Sequence, residues 1–115
     1  MSRQASGLRA WLFQRVTAVY LLLYFPYLIL TLASHPPADH AALVEWLSHP
    51  GVAIAMMLFV ASLLLHAWVG VRDAVIDYVH PVAGRVTVLT VLALGLIACG
   101  LWALKVLVLA GTAAA

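Results

Sequence analysis

Three stretches free of Asp, Glu, Lys and Arg dominate this chain: Val16 to Ala38, Trp46 to Val71 and Val86 to Leu104. Each is close to the ~20 residues an α-helix needs to cross a bilayer. The chain has 115 residues, 66% of them hydrophobic and 9% charged. A domain this small buries only about 60–70% of the area its unfolded form exposes, so a soluble fold cannot hide that much apolar surface. Lipid is the expected solvent. The expected fold is all-α, an integral membrane protein with three transmembrane helices over about 11–33, 51–78 and 82–109. Ser34-His35-Pro36-Pro37 ends the first, since proline lacks the amide donor and restricts the residue before it. His80-Pro81 precedes the third, where proline suits a first helical turn. With no internal repeat or linker, residues 1–115 read as a single membrane domain.

Six Lys+Arg against four Asp+Glu make a mildly basic chain, but Arg3, Arg9 and Arg15 all precede the first apolar run. That placement reports membrane orientation and not nucleic-acid binding, and it puts the N-terminus in the cytoplasm. The 72–85 connection, with Arg72 and Arg85, then lies on the same side, and the 34–50 loop, with Asp39 and Glu45, faces the other way. Lys105 dissents, at the outer end of helix three, where a long side chain snorkels to the interface. The single cysteine, Cys99, excludes an internal disulfide. The absence of a visible cleavable or transit-type leader points to a bacterial inner membrane.

Polar residues at membrane depth carry the chemistry of such a chain. His66 lies in Leu63-Leu64-Leu65-His66-Ala67-Trp68-Val69-Gly70, before the first charge at Arg72. At about 100° per residue, Ser62, Gly70, Asp73 and Asp77 fall on the same helix face. Neutral imidazole is a natural axial ligand to heme iron, because it ligates without bringing a charge into low dielectric. Equally, a histidine in a bundle bonds to a carbonyl or hydroxyl of a neighbouring helix. Gly70, one turn away, leaves room for a flat macrocycle or for a close helix. As the chain has no second intramembrane histidine, a six-coordinate heme needs its other ligand from a partner. His35, His40, His49 and His80 read as loop or interfacial residues.

The segment Val69 to Pro81 places Arg72, Asp73, Asp77 and Tyr78 where helix two leaves the membrane. A phenol there can donate to a quinone carbonyl and a carboxylate can orient the ring or relay a proton. A solvated helix end with an interfacial tyrosine has the same composition. Arg15 can pair with a heme propionate or simply anchor helix one.

The run His66-Ala67-Trp68-Val69-Gly70-Val71-Arg72-Asp73-Ala74-Val75-Ile76-Asp77-Tyr78, with Gln14-Arg15-Val16-Thr17-Ala18 before helix one, resembles the small cytochrome b556 membrane anchor subunits, the D chains, of succinate dehydrogenase. The likeness covers essentially the whole chain and is most specific in helix two. It implies that His66 is one axial ligand of a single b-type heme whose iron takes its second histidine from the companion C-chain anchor. It implies that Tyr78 hydrogen-bonds ubiquinone, that Asp77 lies at that quinone site and that Arg15 stands near the heme propionates. Iron–sulfur and flavoprotein subunits are the implied partners, with the succinate chemistry confined to them and no nucleic acid involved. A fumarate-reducing or menaquinone-linked relative differs in heme count and quinone type. A non-redox helical scaffold, in which His66 only bonds a neighbour, predicts no heme absorbance.

Overall fold

The computed structural model describes residues 3–113, with side chains from position 7 onward. The side chain of Arg3, and Ala114 and Ala115 of the tail, lie outside the described residues. Four helices account for nearly all of it: α1 (Arg3–Ser34), α2 (His40–Ser48), α3 (Pro50–Tyr78) and α4 (Val82–Ala113). Among the described residues there is no strand. α3, α4 and α1 from Gly7 onward are long and apolar enough to cross a membrane, as the uncharged stretches required.

The ends differ from the sequence reading in instructive ways. α1 starts at Arg3, well before Trp11, because the hydropathy pattern registers only the lipid-bathed part of a helix whose polar first turns continue into water. The 34–50 segment, expected as a loop, contains α2. Asp39 caps it, its Oδ1 accepting the Ala42 amide hydrogen at 2.8 Å, and so satisfies one of the free donors at the helix start. α3 opens with Pro50 in its first turn, where the missing amide costs nothing. α4 runs past Leu109 to Ala113, since the small-residue tail includes alanine, the strongest helix former.

α3 closes at Tyr78, and Val79 leaves in an extended conformation. Arg85, from the first turn of α4, reaches back to this end. Its Nη2 donates to the Ile76 carbonyl at 2.9 Å and its Nε donates to the Val79 carbonyl. The carbonyls that α3 leaves without helical partners thus find a cation, the charge that a helix C-terminus favours.

α3 packs between α1 and α4, and among the described residues α1 and α4 do not meet. The α3–α4 seam is tight at Gly100, where an added Cβ would come within 2.8 Å of Leu64 Cδ1. The α1–α3 seam is aromatic: Tyr24 and Phe25 of α1 pack on Phe59 of α3, with ring centroids 5.3 and 6.0 Å apart. Tyr20 stacks on Tyr24 at 5.6 Å and donates its hydroxyl to the Ala55 carbonyl at 2.7 Å. α2 lies against α3 and α4. Lys105 sits 5.3 Å from the Trp102 ring centroid, its ammonium over an exposed aromatic face. The layer is 50 Å along its long axis and leaves most large apolar side chains exposed, Leu22 and Trp102 among them, as a surface meant for lipid or partner helices does.

Candidate functional site

The two helices that cross at the α1–α3 seam bring together polar residues far apart in sequence. His66 of α3 meets Thr17 of α1, with 3.2 Å between Nδ1 and Oγ1. Thr17 is only 5% exposed, and its hydroxyl also lies 2.7 Å from the Phe13 carbonyl and 3.1 Å from that of Gln14. One turn away, Gly70 faces the side-chain amide of Gln14, whose Oε1 is buried without a hydrogen-bond partner among the described residues. Of the two alternatives for His66, the bond to a hydroxyl of a neighbouring helix is present, through one ring nitrogen. Gly70 does have a close helix neighbour, as one of its two readings required.

His66 also lines an apolar groove of about 580 Å³ between the two helices, with Ala18, Leu22, Phe25, Phe59 and Leu63 among its walls. Ala18 follows Thr17 directly, so the small side chain and the hydroxyl belong to one turn of α1. Arg15 lies on the same α1 face as Ala18 and Leu22 by the three- and four-residue spacing of a helix. It is exposed, with its guanidinium carbon 5.6 Å from the Trp11 ring centroid. No cluster of three or more His, Cys, Asp or Glu that could hold a bare metal ion occurs among the described residues. His66 is thus a lone nitrogen donor on an apolar wall, a donor set suited to a planar macrocycle whose iron has most of its ligands already.

Tyr78 and Asp77 sit apart from this groove, at the last residues of α3, twelve and eleven positions beyond His66. Tyr78 is 82% exposed and Asp77 is exposed, and neither makes a hydrogen bond among the described residues. Asp73, on the His66 face, pairs with its neighbour Arg72 at 3.0 Å. Trp68 turns away from the groove and lines the space between α3 and α4.

Sequence reasoning assigned no role to Thr17 or Gln14. A signal for both was present: they are polar residues at the entry to the first apolar run, as His66 is near the exit of the second, and antiparallel packing brings those depths level.

Three helices able to span a membrane in an open layer, with one histidine on an apolar interhelical wall, define a helical membrane protein. Residues 1–102 match the family described as succinate dehydrogenase/fumarate reductase transmembrane subunit. The chain belongs to this family and is one of its membrane anchor subunits, a multi-pass protein of the bacterial inner membrane. It is similar to the succinate dehydrogenase hydrophobic membrane anchor subunit of Coxiella burnetii, 31% identical over 101 residues that cover 88% of each chain. The same-named subunit of Rickettsia felis is 35% identical over 74 residues, 64% of this chain and 62% of the relative.

Proposed function

We propose that this chain is a non-catalytic subunit of a succinate:quinone oxidoreductase, supplying one axial histidine to a b-type heme and part of a ubiquinone-reduction site. The observation that carries the reading is His66 on the wall of the apolar groove, with one ring nitrogen engaged by Thr17 and the other without a hydrogen bond among the described residues. Heme, when bound, supplies a one-electron carrier at membrane depth. His66 ligates its iron without adding charge to a medium of low dielectric. Arg15, on the groove-lining face of α1 and one turn nearer the N-terminal end, pairs with a propionate while its stem covers Trp11. The companion C-chain cytochrome b anchor would supply the second histidine.

Tyr78 and Asp77, exposed at the end of α3, face the iron–sulfur subunit, with the flavoprotein beyond it. The Tyr78 hydroxyl donates to a quinone carbonyl, and Asp77 orients the ring or passes protons from water. The arginines early in α1, with Arg72 and Arg85, set this end in the cytoplasm. A reporter fused after the last residue should then read as external, and a cytoplasmic signal would reverse the orientation.

The test is a reduced-minus-oxidised optical spectrum of the detergent-purified complex, with its subunits identified, for the natural protein and His66→Ala. A b-type signal that His66→Ala diminishes supports the reading. A complex with no heme, or a variant with full occupancy and an unchanged spectrum, sinks it.

A further inference from the structure

Thr17 has one hydroxyl hydrogen and three neighbours to satisfy with it. Two are carbonyl oxygens, of Phe13 at 2.7 Å and Gln14 at 3.1 Å, which can only accept. The third is His66 Nδ1 at 3.2 Å, which donates or accepts according to its tautomer. An oxygen–oxygen separation of 2.7 Å is the distance of a hydroxyl donating to a carbonyl, and without the hydrogen between them the two oxygens would repel. The hydrogen therefore belongs to the Phe13 contact. What the Thr17 oxygen then offers His66 is a lone pair, so Nδ1 carries the ring proton and donates to it. In a neutral imidazole only one nitrogen is protonated, which leaves Nε2 with its lone pair exposed.

We propose that Thr17 is a positioning residue that fixes the tautomer and ring orientation of His66, making Nε2 the nitrogen that ligates iron; this rests on reading His66 as an axial ligand. The hydroxyl stands where a carboxylate or carbonyl usually stands behind a metal-bound histidine, holding the ring and raising its basicity. A carboxylate in this place would put a charge at membrane depth, whereas a threonine tied to its own helix by the Phe13 carbonyl does not. Thr17 needs nothing from the partner subunit to do this, since both members of the pair lie in this chain.

The experiment compares Thr17→Val, Thr17→Cys and Thr17→Ser in the purified complex, reading heme per complex, the ferric low-spin electron paramagnetic resonance signal and the heme midpoint potential. Valine keeps the shape and removes the acceptor. Its complex should retain heme about 10–100-fold less tightly, show a displaced low-spin signal and have a raised potential, because a less basic imidazole favours ferric iron less. Cysteine, a poor acceptor of similar size, should move all three in the same direction by less, and carries the test should the valine complex not assemble. Serine restores the hydroxyl and should match the natural protein. An assembled valine or cysteine complex with natural heme content, signal and potential overturns the proposal, as does a serine complex that behaves like valine. If His66→Ala leaves the heme unchanged, the reading of His66 has failed and this proposal with it. If His66→Ala removes the heme and Thr17→Val changes nothing, only the role of Thr17 has failed.

Discussion

Gly70 of α3 presses its backbone against Gln14 of α1: a Cβ built on Gly70 would stand 3.5 Å from Gln14 Nε2. That is ordinary contact, so one methyl fits and a branched side chain does not. Gly70→Ala is expected to leave assembly and the heme spectrum intact. Gly70→Leu brings a branched side chain against Gln14 from an exposed position and is expected to displace it, at a cost of about 1 kcal/mol, the low end of overpacking, and to loosen the Thr17–His66 pair one turn away. Melting of the detergent-solubilised complex, followed beside its heme absorbance, separates the two substitutions; equal behaviour would mean that α1 is not held by this contact.

Tyr78 offers a cleaner lesion, because its ring is exposed and its hydroxyl makes no hydrogen bond within the described residues. Tyr78→Phe removes only that hydroxyl. A single hydrogen bond contributes about 1 kcal/mol net, so quinone reduction should fall roughly five-fold. Succinate oxidation with a soluble dye should persist. Loss of both activities in parallel would indicate misassembly instead of a quinone contact.

Arg85 holds the end of α3 through the carbonyls of Ile76 and Val79, and with it the backbone that carries Asp77 and Tyr78. Arg85→Ala should free those carbonyls at a cost of about 1 kcal/mol, discounted for the side chain's partial exposure. Amide hydrogen exchange over residues 75–79 should quicken, and the KM for quinone should rise more than kcat falls. Exchange unchanged from the natural protein would show that the helix end needs no such tie.

The three spans were legible because lipid imposes a length and a composition on each, and His66 stood out because an ionisable side chain among Leu63, Leu64 and Leu65 needs a partner in a membrane, whether a neighbouring helix or a ligand. The role of Thr17 was hidden for the opposite reason. A threonine in a helix can return its hydroxyl to its own backbone, so it raises no alarm in an apolar run, and only the crossing of α1 over α3 shows that its oxygen has a second duty. α2 was missed although Asp39, Leu43 and Leu47 spell a capped, one-sided turn, because the prolines at positions 36, 37 and 50 made the whole connection look irregular. The placement of Tyr78 and Asp77 gains little from the chain alone, since both are exposed at the end of α3, apart from the groove.

The separation of α1 from α4 bears on the order in which this protein is made. α1 enters the bilayer first, and Gln14 and Thr17 must wait there while the next stretch of chain is synthesised, since His66 lies 49 residues after Thr17. α4, having no surface in common with α1, contributes nothing to ending that wait. The groove that His66 lines, walled by α1 and α3 alone, therefore takes shape once the first two long spans are inserted, while α4 is still being translated.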